Sequence, residues 1–328
     1  MFNQKEFEKN HFILKKIDFV YYLGEVDKPM HIAFNVNDGY LMQTGVAITS
    51  ILENNKQKPF YFHIFCDGVS DDNLEKVRKT MEKYHTRCSI YIMDMEPFQS
   101  FHIKTKYFSR VTYLRSVMPK ILKGLTDKYL YMDADRICVG DIEEIERIDL
   151  EGYPLAAASE HEEAVKYKTE FLRMKSGKYF NDGLMWIDIK RWEEEKITEK
   201  AFSYQGADPK RFSGQSQDIL NLVLDGEIKF ISQRYNSKTE GSLIYHFTGR
   251  NKPWQLVCER PFQLWRDYLD ISEWESLPDP NPPKDPEHYY NWKRKLLYDR
   301  NQGDYKNVMV CLFWYSVLKI RYKLKGFI

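Results

Sequence analysis

Asp133-Ala134-Asp135 follows the apolar run Tyr129-Leu-Tyr-Met132, so two carboxylates separated by one small residue leave a strand end together. Hard divalent cations take such oxygens, and Mg²⁺ or Mn²⁺ held by one or two carboxylates completes its shell with water and substrate phosphates. The chemistry on offer is stabilisation of a departing diphosphate. A D-x-D pattern is also an ordinary turn or helix-cap signal, so its surroundings decide its meaning. Asn37-Asp-Gly-Tyr40 brings together an amide, a carboxylate, a flexible backbone and an aromatic face, the groups that hold a uracil ring and ribose; the bland alternative is a polar turn capping the next helix. Thr112-Tyr-Leu-Arg115 sets an arginine where it meets a phosphate or base, or serves only as a surface residue. His246-Phe-Thr-Gly249-Arg-Asn-Lys252-Pro-Trp254 joins an imidazole to a glycine that allows close backbone approach and a lysine suited to phosphate charge.

These residues need a frame. His31 to Val36 is a short apolar run followed by a polar turn and helical spacing from Met42 to Leu52; Phe60 to Cys66 repeats the strand, Ser70-Asp-Asp72 caps a helix from Asn73 to Tyr84, and Cys88 to Met93 is again β-rich. Further helices are expected over 111–122, 189–204 and 215–224, and further strands over 128–132, 155–159 and 183–188. Alternating strands and helices imply an α/β fold with a mostly parallel sheet covered on both faces, and in open sheets of this kind ligands collect beyond the carboxyl ends of the strands. Residues 1–29 are charged, broken by Gly24 and Pro29, and read as an N-terminal arm with a possible short helix. A catalytic domain over 30–255 and an aromatic, basic extension over 256–328 complete the expected organisation.

Composition narrows the classes. The 328 residues carry 49 Lys+Arg against 48 Asp+Glu, a net charge of +1, which excludes a uniformly basic nucleic-acid binder. Tyr 23, Phe 20 and Trp 7 make 15% of the chain aromatic, and such rings favour surfaces that are apolar on one side and wet on the other. The five cysteines are scattered and never in C-x-x-C spacing, which argues against a disulfide framework and a structural zinc site and for a reducing compartment. No run reaches membrane-spanning length. Val308 to Leu318 is apolar and aromatic and is followed by Lys319, Arg321, Lys323 and Lys325 interleaved with Tyr322 and Phe327, the pattern of an interfacial anchor or, alternatively, of a packed terminal helix with a solvated edge.

Six segments taken in order, Ile32 to Tyr40, Tyr113-Leu-Arg115, Tyr129 to Asp135, Tyr179 to Gly183 with Trp186 to Trp192, Gln217-Asp-Ile-Leu-Asn221 and His246 to Trp254, resemble glycosyltransferase family 8. Within it they are most similar to the lipopolysaccharide core glucosyl- and galactosyltransferases. The resemblance implies a GT-A fold, a UDP-hexose donor, Mn²⁺ or Mg²⁺, and transfer with retention to a lipopolysaccharide core sugar; the basic, aromatic tail adds the expectation of work at the cytoplasmic face of the inner membrane. It assigns Asp133, Asp135 and His246 to the metal. Asn37, Tyr40 and Arg115 go to the nucleotide, with Ala134 beside them, and Gly249 and Lys252 to the diphosphate. Asn181, Gly183 and Gln217 line the sugar site, and Glu160 falls in the acceptor region. Three positions depart from the family pattern: Asn37 stands where an aspartate is usual, Asp182 where a small residue is usual, and Ser216 where an acidic residue usually precedes Gln-Asp.

A retaining transfer passes through a covalent glycosyl-carboxylate or through a same-face, ion-pair-like attack. Gln217 is a poor nucleophile whose amide oxygen suits a developing positive charge; Asp218 is the carboxylate available to a covalent route. The ion-pair-like path is preferred, with Lys252 and the metal stabilising departing UDP. Two other readings compete, a D-x-D phosphohydrolase and a non-catalytic sugar- or membrane-binding relative. The first needs Thr or Val where Arg136 stands.

Overall fold

The computed structural model describes residues 12–24, 26, 28–101, 103, 109–204, 212–249, 251–256, 260–274 and 277–325. The first eleven residues, Arg250, Cys258, Phe327 and the side chain of Lys325 lie outside the described residues. The chain forms two compact units, Met1–His246 and Phe247–Ile328; the division precedes the 255/256 boundary read from the sequence.

The first unit runs β1 (Ile13–Val20), β2 (Met30–Asn35), α1 (Leu41–Asn54), β3 (Phe60–Cys66), α2 (Asp71–Lys83) and β4 (Arg87–Met93), then a 3₁₀ segment (Arg110–Ser116) and α3 (Met118–Leu122). It continues with β5 (Lys128–Met132), β6 (Arg136–Cys138), α4 (Glu143–Glu146), β7 (Leu155–Ser159), α5 (Glu162–Leu172) and β8 (Phe180–Asp188). After these come α6 (Ile189–Glu194), α7 (Ile197–Phe202), α8 (Ser216–Leu224), β9 (Lys229–Ile231) and β10 (Ile244–His246). Eight strands make one sheet in the order β1-β4-β3-β2-β5-β8-β7-β9, and β10 pairs with β6 in a separate ribbon.

The sheet is mixed rather than mostly parallel. β4, β3, β2 and β5 run parallel, as alternation with helices requires, but β8 lies antiparallel to both β5 and β7. All seven residues of β3 are buried, as expected for a strand covered on both faces. β1 pairs antiparallel with β4 where a charged arm was expected, and its exposed Leu14, Lys15 and Lys16 mark it as a sheet edge. Ser70 caps α2, its side chain accepting from Asn73 N.

Two expected helices are broken. Over 111–122 the chain is 3₁₀ as far as Ser116 and turns α-helical only where Pro119 occupies the first turn, the one place a residue without an N–H is harmless. Over 189–204 the joint is Lys196, which adopts a left-handed backbone with φ 53°. The ribbon is fastened to α1: Ser50 Oγ accepts from Cys138 N at 2.9 Å and Asn54 donates to Cys138 O at 3.1 Å.

The second unit contains α9 (Arg260–Asp270), α10 (Tyr289–Asn301) and α11 (Tyr305–Lys325). Trp292, Cys311 and Leu318 form the buried seam between α10 and α11. A buried Lys295–Asp299 ion pair at 2.8 Å lies on α10. Among the described residues, no helix is long and apolar enough to cross a membrane.

Candidate active site

β5 ends at Met132 and β6 begins at Arg136, so the intervening Asp133-Ala134-Asp135 is pinned between two strands. β10 pairs with β6 in the register His246↔Arg136, which brings an imidazole from far along the chain onto the same turn. One ligand atom from each of Asp133, Asp135 and His246 lies within 4.8 Å of the other two. Ala134 is buried between the carboxylates. Asp133 N donates to Gly183 O on β8 at 2.8 Å, and its Oδ1 accepts from Arg115 Nη2 at 3.0 Å and from the Tyr131 hydroxyl.

Proton counting fixes the state of His246. Around Arg136 Nη2 stand Asn181 Oδ1 at 2.8 Å, Asn236 Oδ1 at 2.9 Å and His246 Nδ1 at 2.8 Å. That nitrogen has two hydrogens. Giving both to the amide oxygens leaves His246 Nδ1–H to donate to Asn236 Oδ1 at 2.8 Å, and the Nε2 lone pair then faces Asp135 Oδ1 across 3.4 Å. This tautomer is assigned from the hydrogen-bond network. Burial, and after it the Arg136 charge, hold the imidazole below its ordinary value, so it is neutral at pH 7. Two carboxylates and a neutral imidazole with converging lone pairs fit a hard divalent cation.

Gly183 makes room for this arrangement. A Cβ there would clash with Asp133 Oδ2 and stand 2.6 Å from Arg136 Nη2 and 3.0 Å from Asn181 Oδ1. A side chain of any size would displace the cation site or the arginine behind it.

β8 and α8 meet through a chain of amides and a carboxylate. Asn181 donates to Glu160 at 2.6 Å, Gln217 Nε2 donates to the same Glu160 oxygen at 3.3 Å, and Gln217 Oε1 accepts from Asp182 N at 3.3 Å. Asn181, Gly183, Gln217 and Glu160 are thereby brought together, and Arg136 ties them to His246. Asp182 is buried; its Oδ2 accepts from Ser216 Oγ at 3.0 Å and pairs with Arg115 Nη1 at 2.6 Å. Burial outweighs the Arg115 attraction and pushes its carboxyl up to about 6.

Arg115, assigned to the nucleotide by resemblance, is buried and engaged by Asp133 and Asp182. Asn37 and Tyr40 follow β2, the parallel neighbour of β5, so both strands deliver their ends to one edge. Asn35, the last residue of β2, accepts from Tyr131 and donates to Val111 O at 2.7 Å, which ties the two strand ends together. Asp38 caps the approach to α2, accepting from Ser70 N at 2.8 Å and Asn73 Nδ2 at 2.9 Å. Gly249 and Lys252 belong to the second unit: Gly249 has φ +86°, which glycine adopts without strain, and Lys252 donates to Phe247 O at 2.6 Å.

Asp218, the candidate for a covalent route, is held inside the fold. It is wholly buried and accepts from Lys168 Nζ at 2.8 and 2.9 Å, Tyr179 OH at 2.5 Å and Gly214 N at 2.5 Å. Its lone pairs face these donors. Arg136, Asn236, Lys168 and Tyr131, which hold these side chains in place, were not singled out as site residues from the sequence. Arg136 alone carried a local signal, a charged residue inside an otherwise apolar strand pattern.

The profile of Glycosyl transferase family 8 matches residues 31–258. Lipopolysaccharide 1,2-glucosyltransferase of Escherichia coli K12 is 28% identical over 291 residues, covering 82% of this chain and 85% of its own. Lipopolysaccharide 1,3-galactosyltransferase of Salmonella typhimurium LT2 is 27% identical, covering 77% and 80%. Among solved structures, galactosyltransferase LgtC in complex with donor and acceptor sugar analogues aligns with a TM-score of 0.64 at 22% identity, covering 74% of this chain and 96% of its own. The fold is GT-A. With the profile spanning the metal triad, the amide chain and both strand exits, the chain belongs to glycosyltransferase family 8.

Proposed function

We propose that the protein transfers glucose or galactose from a UDP-sugar to a core sugar of lipopolysaccharide, with retention at the anomeric carbon. The observation that carries this reading is the convergence of Asp133, Asp135 and His246 one residue-network away from Gln217, Asn181 and Glu160. A bound Mn²⁺ or Mg²⁺ supplies positive charge against the diphosphate. Asn37 and Tyr40 hold the nucleoside. Gln217, its amide oriented by Glu160 and Asp182 N, presents oxygen to the anomeric carbon as positive charge develops. The bond from that carbon to the phosphate oxygen breaks with its electron pair going to UDP. The acceptor hydroxyl then attacks from the same face and passes its proton to the leaving phosphate. Glu160 orients the acceptor.

A second reading concerns place of action. α11 is apolar on two sides: Cys311 and Leu318 pack against α10, while Met309, Phe313, Ile320 and Leu324, 58 to 65% exposed, share the opposite face with Lys306 and Lys323. A helix of this kind lies in the head-group region of an anionic bilayer, with rings at the acyl boundary. This suits a lipid-linked acceptor at the cytoplasmic leaflet.

The test is release of UDP from UDP-glucose, UDP-galactose and their N-acetyl forms, with Mn²⁺ and a truncated lipopolysaccharide core. Turnover of a non-acetylated hexose, lost in Asp133→Ala and Asp135→Ala, is expected. Preference for an N-acetylhexosamine overturns the donor assignment, and tight UDP-hexose binding without turnover makes the chain a binding protein instead.

A further inference from the structure

We infer that Asp182 is a positioning residue for the metal site: by neutralising Arg115 it leaves the charge of Asp133 available to the divalent cation. The inference rests on the metal reading above and goes beyond it, because Asp182 is not one of the three ligands and reaches Asp133 only through Arg115.

The argument begins with a buried cation. Arg115 is 5% exposed, and its guanidinium stays protonated at any pH a protein survives. Its Nε donates to Thr112 O at 3.1 Å and its Nη1 to Asp182 O at 3.0 Å, which satisfies hydrogens but not the charge. Two carboxylates supply that. Asp182 Oδ2 lies 2.6 Å from Nη1, and Asp133 Oδ1 lies 3.0 Å from Nη2. The side chain of Asp182 is 7% exposed, that of Asp133 28%.

Within the trio of Arg115, Asp133 and Asp182, one positive charge between two carboxylates leaves one negative charge over; Arg136, the other buried guanidinium nearby, is the same with or without Asp182. The shorter, more buried contact is with Asp182, so the surplus sits on Asp133, which faces the cation site. Without Asp182, the Arg115 charge has Asp133 as its counter-ion, and a divalent ion must then compete with a buried guanidinium for the same carboxylate. The carboxylate at 182 is itself held. Ser216 Oγ donates to Asp182 Oδ2 at 3.0 Å, and Thr112 Oγ1 stands 3.0 Å from Ser216 Oγ and 3.3 Å from Arg115 Nη2. Position 216 therefore borders the same guanidinium, and a carboxylate moved there remains within its field.

The experiment measures Mn²⁺ affinity of the full chain by titration calorimetry, with no sugar nucleotide present and thermal unfolding as the folding control. Asp182→Asn is expected to weaken Mn²⁺ binding by about 10-fold to 100-fold, the range seen when groups behind metal ligands are lost. Asp182→Asn combined with Ser216→Asp, which moves the carboxylate across the 3.0 Å contact, is expected to recover most of that loss. A purely structural role would shift unfolding in the single variant and leave affinity unchanged in the folded fraction; that result overturns the inference. So does a folded double variant that binds as weakly as the single one. Asp135→Ala separates the two levels. If it binds Mn²⁺ as tightly as the wild type, or if the wild type binds none, the metal reading itself fails and the inference falls with it. Loss in Asp135→Ala with an unchanged Asp182→Asn defeats the inference alone.

Discussion

Asp133, the first residue beyond β5, donates its N–H to Gly183 O on the neighbouring antiparallel strand β8 at 2.8 Å, in a space that admits no Cβ. Gly183→Ala is expected to push on Asp133 Oδ2 and Arg136 together. The overpacking should cost about 1–3 kcal/mol of stability. Mn²⁺-dependent UDP release should fall by at least about 100-fold, because the carboxylate and the arginine that orients Asn181 both shift. Denaturant unfolding and initial rates check the two effects separately; unaltered kinetics would exclude Gly183 from a positioning role.

Asp218 is expected to behave as a structural residue. Asp218→Asn leaves the Lys168 ammonium next to a buried amide, and breaking a buried pair from one side typically costs about 3–5 kcal/mol; Lys168 is 15% exposed, so the lower end applies. Intact-protein mass spectrometry after incubation with UDP-hexose should find no glycosyl adduct on the wild type at Asp218. A trapped adduct there would restore the covalent route.

His31 and His63 predict a pH dependence. His31 Nδ1 and His63 Nε2 lie 2.9 Å apart, and His63 Nδ1 contacts Tyr91 OH at 3.2 Å, all inside the sheet. Burial, then the Arg87 charge, lowers His31 to about 4, and burial lowers His63 well below its usual value. Folded-state values below the unfolded one mean that the unfolded chain binds more protons. Stability is complete above about pH 6.5 and declines as pH falls through that value; for His31 the loss levels off below about 4, at roughly 3 kcal/mol. Urea midpoints should therefore drop between about pH 7 and pH 5, before most carboxylates titrate. A flat midpoint across that window would contradict neutral buried imidazoles.

The exposed face of α11 gives a prediction for flotation assays. Phe313→Ser with Ile320→Ser removes apolar surface from the outer face while leaving Cys311 and Leu318, the inward pair, in place. Binding to anionic vesicles should weaken by about 10-fold or more, at 0.8 kcal/mol per buried CH₂ lost. Unaltered flotation, in this variant or after truncation at Gly303, would remove the membrane from the account.

Continuous apolar runs made β3, β5 and β7 legible at their observed bounds, because strands buried on both faces leave no polar residue to blur the period. β1 was missed for the opposite reason: on this edge strand Lys15, Lys16 and Asp18 interrupt the half-buried Ile13, Ile17 and Phe19 and blur their alternation. Alternation of elements also says nothing of strand direction, so the reversal at β8 was hidden. In the site, the D-x-D turn and His246 could be read as motifs. The partnership of Arg136 with Asn181 and Asn236 could not, since it joins positions 45 and 100 residues apart. Arg136 served in the sequence only to argue against a phosphohydrolase, a reading now excluded by the family match.

β5 and β8 pair in the register Met132↔Leu184, so the cation turn and the Asn181–Gly183 segment hang from one hydrogen-bonded ladder, whereas Ser216 and Gln217 arrive on the separate helix α8. For anyone wishing to redirect this protein to another donor, that division is a map. Changes on the ladder disturb the cation turn and the Asn181–Gly183 segment at once and are expected to read out mostly as lost activity. Changes on α8 reach the cation turn only through side chains, Ser216 by way of Asp182 and Arg115 and Gln217 by way of Glu160 and Asn181, so a library placed there leaves the backbone of that turn standing.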